Sequence, residues 1–196
     1  MAGLSTDSGS GFGAGTTGSF LIRTVAVIGA GQQGRSFALR CARMGFQTIL
    51  EDVMPAKLRR AREELETLAP AALGAANLSF ALTVEDAVRD ADLAIDFVPD
   101  ELESKLEIFS LLDRMAPPKT ILCTPTQALS ISDLASCTYR ADRCVALHTA
   151  DGRDVLAGPL LLVPGDKMSA ALASTVQAWL EQLGCEVSAG VDRLAV

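Results

Sequence analysis

Thr24-Val25-Ala26-Val27-Ile28-Gly29-Ala30-Gly31-Gln32-Gln33-Gly34 runs five strand-forming residues straight into a G-x-G-x-x-G. Phe37, Ala38, Cys41 and Ala42 follow at helical spacing, so the stretch predicts strand, tight turn and helix. The physical reading is phosphate capture. Gly29 permits the turn, Gly31 lets backbone approach a pyrophosphate, and Gly34 lets helix and strand pack closely. The loop, with Ala30, Gln32 and Gln33 between its glycines, turns free N–H groups and the positive end of the helix dipole on the anion.

Gly13-Ala14-Gly15-Thr16-Thr17-Gly18 matches the same pattern, but no apolar strand precedes it and no helical pattern follows. It reads as an accident of residues 1–20, a Gly/Ser/Thr-rich stretch expected to be a flexible tail. Residues 21–196 are then the dinucleotide-binding domain. Asp52 ends the next strand, Thr48-Ile49-Leu50-Glu51, 23 residues after Gly29. That spacing suits a carboxylate accepting bonds from the adenosine ribose. A carboxylate there repels a 2′-phosphate, so NAD is expected rather than NADP.

With 49% apolar and only 5% aromatic residues, the core must be built from Ala, Leu, Val and Ile, as in a sheet covered by helices. A net charge of −7 argues against a nucleic-acid groove or an anionic membrane surface. No apolar run reaches the length of a transmembrane helix, and the N-terminus lacks the basic and apolar segments of a signal peptide. The five cysteines lack metal-type spacing, so no metal site is expected. Cys41, Cys123 and Cys144 sit in apolar patterns as buried thiols, and a cytoplasmic location is expected.

Further strands are expected at Leu78–Ala81, Leu93–Phe97, Thr120–Cys123, Cys144–Leu147, Leu160–Val163 and Glu186–Ser188. Helices are expected at Lys57–Leu68, after a Thr83 cap, and at Leu102–Met115, Ser130–Ala135 and Ser169–Leu183. Leu58, Ala61, Leu65 and Leu68 form one buried face. Leu106, Phe109, Leu112 and Met115 form another. Arg59, Arg60 and Arg62 are the solvated side of their helix rather than a phosphate site. Thr124-Pro125-Thr126-Gln127 reads as a loop. Continuous apolar strands alternating with helices give an α/β fold with a doubly wound, mostly parallel sheet. Ligands lie at the carboxyl ends of such strands, where Asp52, Asp100, Gln127 and His148 fall.

The order of motifs resembles the NAD-binding domain of L-3-hydroxyacyl-CoA dehydrogenases. The most specific part is Val98-Pro99-Asp100-Glu101-Leu102-Glu103-Ser104-Lys105, followed by Phe109 and Leu112. Ala116-Pro117-Pro118-Lys119-Thr120-Ile121-Leu122 and Leu147-His148 also match. The resemblance implies an NAD-dependent oxidoreductase of fatty acid metabolism acting on an acyl-CoA-like substrate. His148 would be the catalytic base. Asp100, one methylene shorter than the usual Glu, and Lys105 would contact the nicotinamide side. The chain departs from the family at Gln127, which stands where a functional serine is usual, and at Leu160, where the glutamate partner of the histidine falls. Asp151 and Asp154 are candidate substitutes. The family's C-terminal helical domain has no counterpart here, so a separate helical-domain protein or a second copy of the chain is an expected partner. Without the resemblance His148 reads as a satisfied edge residue. A non-catalytic NAD(H)-binding protein with a scaffold or sensor role is the alternative function.

Overall fold

A computed structural model of the chain describes residues 20–68, 77–127, 129–149 and 154–192. The expected tail apart from Phe20, residues 69–76 and Asp151 lie outside these residues, and the side chains of Leu65 and Leu68 are likewise not described. The chain forms an eight-stranded sheet in the order β3-β2-β1-β4-β5-β6-β7-β8. The strands are β1 (Thr24–Ile28), β2 (Gln47–Glu51), β3 (Leu78–Ala81), β4 (Leu93–Asp96), β5 (Ile121–Thr126), β6 (Cys144–Thr149), β7 (Leu160–Pro164) and β8 (Val187–Ala189). β1 to β6 are parallel, as their continuous apolar runs predict. β7 runs antiparallel to β6, and β8 parallel to β7. The connection from Thr149 to Leu160 is shorter than the dozen or more residues a parallel crossover needs.

The helices are α1 (Gln32–Arg43), α2 (Pro55–Leu68), α3 (Val84–Val88), α4 (Leu102–Met115), α5 (Ile131–Ala135) and α6 (Ala170–Gln182). Each side of the sheet has its own core. Val25, Val27, Leu93 and Ile95 pack with Phe37 and Cys41 of α1, Leu58 of α2 and Trp179 of α6. Ala26, Ile28 and Ala94 pack with Val84 of α3, Phe109 and Leu112 of α4 and Leu134 of α5. This is the doubly wound arrangement. The strand order reverses between β1 and β4, which leaves a crevice above their carboxyl ends. The helix signals act as read. Thr83 accepts the Asp86 N–H, and Gly184 ends α6 at φ +85°. Leu58 and Ala61 are buried, whereas Arg59, Arg60 and Arg62 face solvent.

Two expectations are corrected. Met115 is exposed, because the inward side of α4 runs through Lys105, Ile108, Phe109 and Leu112. A lysine on a buried face was not foreseen. Thr124-Pro125-Thr126 continues β5 instead of forming a loop. β4 pairs with β5 only as far as Cys123, so β5 is an edge on that side beyond it. The Pro125 carbonyl is turned to the Lys105 Nζ on this open side. A strand residue presents its nitrogen and carbonyl on the same side, so the missing N–H removes no ladder bond.

Candidate functional site

The three motif glycines do three different things. Gly29 has φ +99°, in the left-handed region that only glycine adopts cheaply. A β-carbon on Gly34 would fall into the Gly29 carbonyl, so α1 can approach β1 only with glycine there. A β-carbon on Gly31 would meet nothing within 4 Å, and Gly31 lines the crevice. α1 also starts with no side-chain cap. Its first-turn N–H groups are left to an anion that can approach closely over Gly31.

The crevice has a volume of about 410 Å³. Gly31, Gln32, Gln33 and Gly34 form one wall. Asp96, Phe97, Val98, Asp100 and Lys105 form another, and Pro125, Thr126, Gln127 and Thr149 close it. Asp100 and Gln127 are joined, since the Gln127 N–H donates to the Asp100 carboxylate at 2.9 Å. The residue pattern had placed both at strand ends without linking them.

Lys105 is 1% exposed, and its Nζ donates to Asp96 Oδ1 at 2.7 Å and to the Pro125 carbonyl at 3.0 Å. Burial raises the Asp96 carboxyl pKa; the Lys105 ammonium foremost, then the Thr124 hydroxyl and the Val98 N–H, pull against it. Lys105 therefore ties α4 to the ends of β4 and β5 in the crevice wall. Asp96 was overlooked in the sequence, although an acid closing the apolar run Leu93-Ala94-Ile95 was a readable signal.

Asp52 stands at the end of β2, with Oδ2 accepting from the Ala30 N–H at 2.9 Å and Oδ1 from the Met54 N–H at 2.9 Å. Lys57 Nζ donates to Oδ2 at 3.0 Å. Burial pushes this carboxyl up, but the two amides and the ammonium outweigh it and hold it below the usual range.

Beside Asp52, Glu51 is 2% exposed, and its Oε1 has no hydrogen-bond partner among the described residues. Burial first, then the Asp52 charge, push its pKa up to about 7, with Lys57 opposing. Between the ordinary 4.5 and 7, folded protein holds a proton that the unfolded chain has lost. Stability should therefore fall as pH rises through that window and level off above it. Removing the carboxyl with Glu51→Gln should cancel a penalty of about 3 kcal/mol at pH 8 and none at pH 4. Melting temperatures across that range would test this. An equal shift at both ends would refute it.

His148 is 6% exposed and lies within β6, between Thr126 of β5 and Leu161 of β7 in the strand register. It is not among the residues lining the crevice; its neighbour Thr149 is. Leu160 lies across from Thr149. Asp154 caps its own turn by accepting the Leu156 N–H at 3.0 Å. The structure thus brings the glycine loop, Asp100, Lys105 and Gln127 together in one crevice. Asp52 lies beside it, and His148 is set back in the sheet.

The model of the 3-hydroxyacyl-CoA dehydrogenase NAD-binding domain matches residues 24–189. A 5-formyl-3-hydroxy-2-methylpyridine 4-carboxylate 5-dehydrogenase of Mesorhizobium japonicum is 29% identical, over 84% of this chain and 56% of its own length. A probable 3-hydroxybutyryl-CoA dehydrogenase of Bacillus subtilis is 33% identical, over 65% of this chain and 48% of that protein. Among solved structures, a diketoreductase superposes with a TM-score of 0.77 at 28% identity, covering 89% of this chain and 66% of that one. The chain spans about half the length of the curated relatives it matches. With a match that runs from the first strand to the last, the chain belongs to the 3-hydroxyacyl-CoA dehydrogenase NAD-binding domain family, and its cofactor is NAD.

Proposed function

We propose that the protein is an NAD-dependent oxidoreductase of the 3-hydroxyacyl-CoA type, working in fatty acid metabolism. The observation that carries this reading is the crevice, where an uncapped helix start and an open Gly31 meet Asp100, Lys105 and Gln127 at the strand ends. NAD supplies a hydride acceptor there. The loop from Gly29 to Gly34, with Ala30, Gln32 and Gln33, holds the pyrophosphate through backbone N–H groups. Asp52 accepts from the adenosine ribose, keeping a free lone pair on Oδ1 beside its bond to Met54. Asp100 and Lys105 shape the nicotinamide end, and the Gln127 side chain takes the place of a smaller hydroxyl. His148, the one histidine of the sequence, is the base that takes the 3-hydroxyl proton.

A second reading, a non-catalytic NAD(H)-binding protein with a sensor or scaffold role, is favoured by one observation. His148 is buried within β6 and is not among the residues that line the crevice. In the dehydrogenase reading a separate helical-domain protein, or a second copy of this chain, completes the acyl-CoA site. All five cysteines are free thiols, which supports a cytoplasmic location. Among the described residues no helix is long and apolar enough to cross a membrane.

Calorimetric titration should detect NADH binding that is tighter than NADPH binding. Asp52→Ala should weaken NADH by roughly 10- to 100-fold, the worth of a hydrogen bond to a charged group. NADH binding indifferent to that substitution would remove Asp52 from the ribose site.

A further inference from the structure

Asp52 does more than present an acceptor. Its side chain is 5% exposed and fills a space ringed by three donors: the Ala30 N–H, the Met54 N–H and the Lys57 ammonium. Two backbone amides and an ammonium around one anion are also what a phosphate monoester requires. Lys57 lies in the first turn of α2 and is 45% exposed, so it can follow a ligand as well as the carboxylate. A second cation, bonded to Ala30, is already engaged. Arg35 donates to the Ala30 carbonyl and to both carboxylate oxygens of Glu64. Glu51 is the second acid close to the cradle.

We propose that Lys57 is a specificity-determining residue. It forms part of an anion cradle that Asp52 plugs, and unplugging the cradle turns this domain toward the 2′-phosphate of NADP. The proposal rests on the reading that Asp52 faces the adenosine ribose. In the native chain the cradle's donors are spent on Asp52, and an incoming 2′-phosphate meets both an occupied site and a like charge. Replacing Asp52 with a short neutral residue leaves all three donors in place. The released ammonium then sits where a 2′-phosphate needs one. Repulsion by Asp52 alone would predict only a loss of discrimination. The cradle predicts reversed preference that depends on Lys57.

The test is titration of NADH and NADPH into wild type, Asp52→Ser, Lys57→Met and the double variant, each as the full 196-residue chain. Asp52→Ser should weaken NADH and tighten NADPH, moving their affinity ratio by about 100-fold, or about 2.7 kcal/mol. In the double variant most of the NADPH gain should vanish. Inorganic phosphate should raise the melting temperature of Asp52→Ser and not that of the double variant. Asp52→Ala, which also empties the cradle, should move the ratio in the same direction if Asp52→Ser fails to fold. The proposal is overturned if NADH binding drops without any NADPH gain, or if the gain survives Lys57→Met. Unchanged NADH affinity in both Asp52 variants would instead overturn the ribose reading on which it rests.

Discussion

Replacing Lys105 with methionine should lower the unfolding free energy by about 3–5 kcal/mol, the usual cost of stranding one member of a buried ion pair. For a chain of this size that corresponds to a fall in melting temperature of roughly 6 to 20 °C. The ammonium is 1% exposed and Asp96 is fully buried. Truncating the lysine leaves a carboxylate with neither water nor a counter-charge, and it frees the Pro125 carbonyl where β5 has already lost β4 as a neighbour. At neutral pH Asp96 must then take up a proton or distort the crevice. Two further variants, Asp96→Leu alone and Asp96→Leu with Lys105→Met, separate these effects. Asp96→Leu with Lys105→Met removes both charges and should recover much of the loss, since an apolar pair of similar volume is often neutral or better. Denaturant unfolding of wild type and the three variants would measure the coupling. A Lys105→Met chain that melts within 2 °C of wild type would show that the pair contributes little. NADH affinity should fall in the single variant too, because Lys105, Asp96 and Pro125 all line the crevice.

The glycine loop, the parallel order of β1 to β6 and the two-sided core were legible because each rests on local pattern. A G-x-G-x-x-G behind an apolar strand has few physical solutions. Alternating continuous strands and amphipathic helices leave little choice of sheet. Gly13 to Gly18, whose letters match without an apolar run before them or a helical pattern after them, lie outside the described residues. What escaped reading depends on pairings between segments far apart in sequence. Lys105 looked like a crevice contact, but its burial follows from Asp96, nine residues earlier. Met115 fits the helical period yet is exposed, because α4 is rotated so that Lys105 and Ile108 face inward. Pro125 reads as a loop residue until the end of the β4 ladder is known. Glu51 and Lys57 are ordinary charged letters on either side of Asp52. Only the fold makes the first a buried acid and the second a donor to the same carboxylate.

The 196-residue chain assayed alone should oxidise 3-hydroxybutyryl-CoA at least a thousandfold more slowly than the roughly 10 per second of an ordinary enzyme. Nucleotide binding should persist, because its determinants lie on the loops after β1 and β2. The chemical step makes different demands. The hydroxyl must come within hydrogen-bond reach of the imidazole, and the cation formed must be held in one orientation. His148 is 6% exposed and is not among the residues that line the crevice, whereas its neighbour Thr149 is. β7 offers Leu160 and Leu161 at the positions nearest to it in register, so no carboxylate from that strand orients the ring. In the proposed reading Gln127 also stands where a hydroxyl would leave more room for substrate. NADH formation followed at 340 nm, with His148→Ala as control, measures this. Leu161→Glu places an acid directly opposite His148 and should raise the residual rate. If the base is His148, combining that change with His148→Ala should abolish the gain. A wild-type rate near 10 per second would overturn the expectation, and a rate unaffected by His148→Ala would move the base to another residue.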